Sequence, residues 1–98
     1  MAVDITKVKI LGYIYEIHYV DNIADCGQAD CAQQVIRVNN KITKQQKDST
    51  ILHEIIEVLR YQLGLDELSH KYIMAIETGL FAVLSENKEM FANFGKEI

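Results

Sequence analysis

The chain changes character at residues 43–64, which read TKQQKDSTILHEIIEVLRYQLG. Thr43 and Gln46 have the spacing of a capping box, in which two side chains satisfy the free backbone N–H groups at a helix start. Apolar residues then recur at the period of an amphipathic helix, and Gly64 can end it. The recurring residues are Leu52, Ile56, Leu59 and Leu63, widened by Ile51 and Ile55. The segment therefore predicts a helix from Thr43 to about Gly64.

A second helix is predicted after a short link. Ser69 is a candidate cap, and apolar residues again repeat at helical spacing until about Asn87: Ile73, Ile76, Leu80 and Leu84. Because the link at residues 65–68 is short, we expect the two helices to form an antiparallel or crossed pair. The apolar residues of the tail, Met90, Phe91 and Phe94, are expected to fold back on the core.

The first forty residues have the composition of strands. Residues 8–11 and 13–20 are rich in β-branched and aromatic side chains and flank Gly12, which indicates a hairpin. Residues 21–32 are polar and predict a loop, and residues 33–38 predict a third strand. The sequence thus predicts an α+β fold, in which a small three-stranded antiparallel sheet is followed by two packed helices.

Length and composition narrow the class of protein. With 98 residues we expect a single domain, 1–98. A net charge of −4 gives no reason to expect direct nucleic-acid binding. No run approaches the ~20 apolar residues of a membrane helix, and no secretory leader is recognisable, so we expect a cytoplasmic protein with no membrane partner. Cys26 and Cys31 are expected to be reduced thiols; a cysteine-ligated metal or a disulfide is less favoured.

The motif that carries chemistry is His53-Glu54-Ile55-Ile56-Glu57. His53 and Glu57 lie one helical turn apart and so share a face, as two ligands of one metal ion must. The HExxH zinc peptidases use the same spacing with a second His, and their intervening Glu is the general base. Carboxylates also bind zinc, so the HExxE variant predicts His53 and Glu57 as ligands and Glu54 as base.

The second helix offers two residues for a third ligand. His70 and Glu77 both lie beside its apolar stripe, but they are about 10 Å apart along the axis, so both can hardly reach one ion. His70 would give a set of two His and one carboxylate, which suits catalytic zinc, and we favour it; Glu77 remains the alternative. A structural helix with a solvated charged edge would also produce the HExxE pattern.

Residues 47–57, KDSTILHEIIE, resemble the active-site helix of small, phage-type relatives of the ImmA/IrrE and SprT-like metallopeptidases. Residues 33–38 resemble the strand before that helix, and residues 68–70 and 76–81 resemble the helix after it. The resemblance implies a zinc-dependent peptidase of the gluzincin type with a minimal zincin-like fold. It implies His53 and Glu57 as zinc ligands, Glu54 as base, His70 or Glu77 as third ligand, and residues 33–38 as the sheet edge along which a peptide substrate lies. Glu57 stands where most members have His.

These observations favour a zinc-dependent metallopeptidase, associated with a phage or mobile element, that hydrolyses a peptide bond in a protein substrate. The alternative is a catalytically inactive metal-binding or protein-interaction module of the same fold. So small a domain leaves little room for a cleft, so a partner protein is a candidate for completing the site. Tyr61 and Tyr72 are candidates for stabilising the oxyanion, although helical tyrosines more often serve packing.

Overall fold

The computed structural model describes residues 4–96, which form four strands and three helices. In chain order these are β1 (Lys7–Ile10), β2 (Tyr13–Val20), β3 (Gly27–Asp30), β4 (Val35–Asn39), α1 (Lys44–Gln62), α2 (His70–Glu86) and α3 (Lys88–Ala92). The predicted α+β class is confirmed. No helix within residues 4–96 combines the length and the apolar character needed to cross a lipid bilayer.

The predicted hairpin is present as β1 and β2. Its turn is Leu11–Gly12, and both residues have positive φ, 49° and 90°, as the tightest antiparallel connections require. The side chains of β2 alternate: Tyr15 and Ile17 are buried, whereas Glu16 and His18 are exposed. His18 Nε2 contacts Glu16 Oε1 at 2.9 Å on that exposed face.

The sheet differs from the prediction of three antiparallel strands. Its strand order is β1-β2-β4-β3, and β2 and β4 run parallel. The extra strand β3 lies within the segment predicted as a loop. It was not predicted because its sequence, GQAD, lacks the β-branched and aromatic residues that indicate strands. β3 pairs antiparallel with β4 at the sheet edge, so β4 returns between β2 and β3 and runs in the direction of β2.

The core lies between the sheet and α1. Ile10, Tyr15 and Ile17 from the hairpin and Ile36 and Val38 from β4 pack with Ile51 and Val58 of α1. The predicted apolar stripe is only partly right, since Leu63 is exposed and the buried residues of α1 are Thr50, Ile51, Glu54, Ile56 and Val58. The reason is that α1 contacts the sheet on one side and α2 on another, so it buries more than one stripe.

The helix ends largely follow the prediction. Thr43 Oγ1 accepts the Gln46 N–H and Gln46 Oε1 accepts the Thr43 N–H, both at 3.2 Å, which confirms the capping box. Ser69 occupies the N-cap position of α2 without a side-chain hydrogen bond. The tail prediction was wrong: α3 packs against α2 and not the sheet, and Met90 and Phe94 are exposed.

Candidate metal centre

A cleft of about 570 Å³ opens where α1, the first turns of α2 and the start of β3 meet. Helix α1 contributes His53, Glu54 and Glu57 to its lining, and α2 contributes His70 and Glu77. The opposite wall is residues 25–27, at the start of the edge strand. The structure thus places the predicted base and all four candidate ligands around one cavity.

Three of these residues form a compact donor group. His53, Glu57 and His70 each offer one ligand atom, and the three atoms lie within 4.8 Å of one another. Glu57 Oε2 is central, since it lies 3.8 Å from His53 Nε2 and 3.8 Å from His70 Nδ1. The two imidazole rings meet edge to face at 5.3 Å between centroids. The side chain of His70 is 66% exposed, so the group is open to solvent on the α2 side.

The spacing of this donor group is compatible with zinc. Ligand atoms bound at 2.0–2.2 Å in a tetrahedral site lie about 3.4 Å apart. The two 3.8 Å separations at Glu57 exceed this value by about 0.4 Å and the third separation lies within 4.8 Å, so the side chains must rotate closer together to bind one ion. Two imidazoles and one carboxylate are also the donor types found at catalytic zinc, where a fourth position stays open.

Glu57 is oriented by a basic residue one turn further along α1. Its second oxygen, Oε1, lies 4.0 Å from Arg60 Nη1. The Arg60 guanidinium also donates to the backbone oxygens of Leu68 at 2.8 Å and Asp66 at 3.0 Å. Arg60 therefore ties the α1–α2 link, and with it the start of α2, to the helix that carries His53 and Glu57.

Glu77 lies on the other side of the His53 ring. Glu77 Oε1 is 3.7 Å from His53 Nδ1, whereas Glu57 faces His53 Nε2. Its second oxygen, Oε2, accepts a hydrogen bond from Ser49 Oγ at 3.2 Å. The sequence offered His70 and Glu77 as alternatives for one role, but in the structure they occupy different places around His53.

Glu54 is buried beside the donor group, with 7% of its surface exposed. Burial and, to a smaller extent, the like charges of Glu57 and Asp25 together raise the pKa of its carboxyl from 4.5 to about 7. A carboxyl with a pKa near neutrality can both accept and release a proton at physiological pH. Glu54 therefore has the properties of a general base.

Gly27 brings the edge strand close to α1. A Cβ atom at this position would lie 2.5 Å from Thr50 Cγ2, 3.0 Å from the Arg37 carbonyl oxygen and 3.4 Å from Glu54 Oε2. Glycine is needed here because any side chain would collide with α1 and β4. The start of β3 consequently lies directly beside the carboxyl of Glu54.

The expected sheet edge and the expected oxyanion-stabilising tyrosines differ from the structure. Residues 33–38 were expected to form the sheet edge, but β4 lies between β2 and β3, and β3 is the edge strand next to the cleft. The prediction failed because β3 was not recognised as a strand. Tyr61 and Tyr72 are exposed and lie outside the lining of this cleft, whereas Cys26 is a free thiol within it.

Sequence reasoning missed three residues that shape the site: Gly27, Ser49 and Arg60. Ser49 lies one turn before His53 and Arg60 lies three residues after Glu57, so helical spacing could have placed both on the motif's face. No local signal marks Gly27, because its role depends on a strand that the sequence does not indicate.

No model of a known protein family, no curated protein and no solved structure matches this chain.

Proposed function

We propose that this protein is a minimal zinc-dependent metallopeptidase with a zincin-like arrangement, which hydrolyses a peptide bond in a protein substrate. One observation carries the proposal: three donors spaced for one ion, His53, Glu57 and His70, share a cleft with the buried carboxyl of Glu54. A solvated helix edge would not bury Glu54 or bring a histidine from a second helix to the same place. The likeness of residues 47–57 to a phage-type peptidase helix supports the same class and an association with a phage or mobile element.

His53, Glu57 and His70 would hold the ion, and the cleft would admit water and substrate. When bound, Zn²⁺ supplies Lewis acidity, which polarises a carbonyl group and lowers the pKa of a water molecule. Glu54 takes one proton from the attacking water while the water oxygen bonds to the carbonyl carbon. It then gives that proton to the amine nitrogen as the carbon–nitrogen bond breaks. Burial and the neighbouring carboxylates raise the pKa of Glu54 to about 7 in the metal-free chain, and a cation beside it would favour the ionised form that accepts a proton.

A substrate peptide would bind along β3. This strand pairs with β4 on one side. Within residues 4–96 no strand pairs with its other edge, which is therefore free to accept a peptide as an added strand. Its first residue, Gly27, lies beside Glu54. A peptide that extends the sheet at β3 would therefore pass across the cleft, and main-chain hydrogen bonds would align it without demanding a particular sequence.

The second candidate is an inactive metal-binding module of the same fold, with a protein partner at the cleft. It is favoured by the 66% exposure of the His70 side chain, because metal-assisted hydrolysis depends on a dry, shaped cavity around the ion. Glu54→Gln separates the two functions. If the wild type cleaves peptides and Glu54→Gln binds zinc but does not cleave, the peptidase is supported. If neither the wild type nor Glu54→Gln cleaves, the metal-binding module is supported.

The experiment begins with metal content. Protein purified without chelator and supplied with zinc should bind about one ion per chain, and His53→Ala and His70→Ala should lose it. His18→Ala is the matched control, since His18 is exposed on β2 and does not line the cleft. Cleavage is then measured by mass spectrometry on a mixture of unstructured peptides. Wild-type protein that binds no zinc would refute the proposed metal site.

A further inference from the structure

We infer that Glu77 is a positioning residue rather than a zinc ligand: held by Ser49, it accepts the Nδ1–H of His53 and thereby turns Nε2 toward the ion. This inference rests on the proposed metal site. It gives Glu77 a role other than that of third ligand, for which the sequence offered it as the alternative to His70, and it gives a role to Ser49, which the motif does not include.

The two nitrogens of the His53 ring face different carboxylates. Nδ1 lies 3.7 Å from Glu77 Oε1 and Nε2 lies 3.8 Å from Glu57 Oε2. A neutral imidazole carries one proton, and the nitrogen without it is the metal ligand. Both contacts are longer than a hydrogen bond, and a carboxylate lies beside each nitrogen. Glu57 also contacts Arg60 and His70, which compete for its negative charge, whereas the Glu77 oxygen beside Nδ1 has no other such contact among residues 4–96. The proton is therefore assigned to Nδ1, which leaves the lone pair of Nε2 facing Glu57 and His70.

The same geometry argues against coordination by Glu77. The lone pairs of the two ring nitrogens point away from each other, so a carboxylate at Nδ1 does not reach an ion held at Nε2. The donor atoms that converge within 4.8 Å are those of His53, Glu57 and His70. Zinc-binding histidines commonly donate their other N–H to a carboxylate, which fixes the ring and increases its basicity.

Ser49 holds the Glu77 carboxylate in place for this role. Its hydroxyl donates to Glu77 Oε2 at 3.2 Å, which leaves Oε1 on the side of His53. Ser49 and His53 lie one turn apart on α1, and Glu77 reaches them from α2. His53 and Glu77 are each only 17% exposed, so water competes weakly for their contact. The three side chains therefore form a polar connection across the α1–α2 interface.

The test compares Glu77→Ala with Glu77→Gln. A glutamine oxygen still accepts the Nδ1–H of His53, but an amide is a poor zinc ligand. We expect Glu77→Ala to weaken zinc binding by 10–100-fold, Glu77→Gln to restore most of that loss, and Ser49→Ala to weaken binding less than Glu77→Ala. Affinity is measured by competition with a chelator of known strength. Glu86→Gln, at the exposed end of α2, is the matched control.

A second measurement does not depend on zinc. Nitrogen chemical shifts of the metal-free protein report which nitrogen of His53 carries the proton, and circular dichroism checks that each variant folds. The inference expects an Nδ1-protonated ring in wild type and a mixed tautomer in Glu77→Ala. If Glu77→Gln is as weak as Glu77→Ala and X-ray absorption shows one ligand fewer, Glu77 is a ligand and the inference is overturned.

Failure of the proposed function would look different. Suppose that the wild type binds no zinc, that His53 is protonated at Nδ1, and that this proton position changes in Glu77→Ala. The metal site is then refuted, and the positioning of His53 by Glu77 stands. If the tautomer of His53 is indifferent to Glu77, the positioning role is overturned even when zinc binds.

Discussion

His53 and His70 meet edge to face, with ring centroids 5.3 Å apart and ring planes at 71°. His53 lies in the middle of α1, whereas His70 is the first residue of α2. Their contact therefore depends on how the link between the helices returns the chain to α1. Arg60 fixes that link through the backbone oxygens of Asp66 and Leu68, so a residue outside the motif controls the distance between two candidate ligands.

Replacement of Arg60 by Met should loosen this link. The variant loses hydrogen bonds to two carbonyl groups and the contact with Glu57, so we expect a loss of about 1–3 kcal/mol in the free energy of unfolding. Zinc affinity should fall as well, because His70 is held less firmly. Urea denaturation and chelator competition measure the two effects. Lys71→Met, at an exposed position near the start of α2, should change neither the free energy of unfolding nor the zinc affinity much. Equal effects of Arg60→Met and Lys71→Met would contradict the role given to Arg60.

Glu54 predicts a pH-dependent stability of the metal-free protein. Its folded-state pKa is raised from 4.5 to about 7, so between these pH values the folded chain holds a proton that the unfolded chain has released. The free energy of unfolding therefore falls as pH rises through this window, by on the order of 3 kcal/mol for this group. Glu54→Gln removes the ionisation and should stabilise the protein at pH 8 but not at pH 4.

Urea denaturation of chelator-treated protein at both pH values measures this difference. Glu86→Gln serves as the control, since that carboxyl is exposed. A Glu54→Gln variant that is no more stable than wild type at pH 8 would contradict the burial of an ionisable carboxyl at this position.

Chelation should lower the melting temperature of zinc-loaded protein. An ion that binds only the folded chain adds about 3 kcal/mol of stability when free zinc is 100 times its dissociation constant. The shift should vanish in His53→Ala, which lacks the ligand on α1, and persist in His18→Ala. Calorimetry with and without chelator makes the comparison. An equal shift in His53→Ala and wild type would place the ion elsewhere.

Gly27→Ala should destabilise the fold and displace the cleft wall. The new methyl group would lie 2.5 Å from Thr50 Cγ2 and 3.0 Å from the Arg37 carbonyl oxygen, so β3 or α1 must move. We expect a cost of about 1–3 kcal/mol. Gly79→Ala is the matched control: no atom lies within 4 Å of its added Cβ, and alanine favours the helix by about 1 kcal/mol. In urea denaturation the free energy of unfolding should fall in Gly27→Ala and rise in Gly79→Ala.

The elements predicted correctly are those fixed by short-range interactions. The hairpin follows from Gly12 between two β-rich segments, and α1 follows from the capping box of Thr43 and Gln46 together with its apolar period. Helical spacing alone also puts His53 and Glu57 on one face. Each of these features needs only residues within a few positions of one another, so the amino-acid order determines them.

Long-range packing decided the rest. The weakly strand-forming segment at Gly27 becomes β3 because β4 offers it an unpaired edge, and this pairing makes β4 an interior strand. Glu54 is buried because α1 lies between the sheet and α2, which the period of α1 does not specify. Glu77 faces one nitrogen of His53 because of the relative placement of two helices. Such relations join residues far apart in the chain, and only the folded arrangement sets the distances between them.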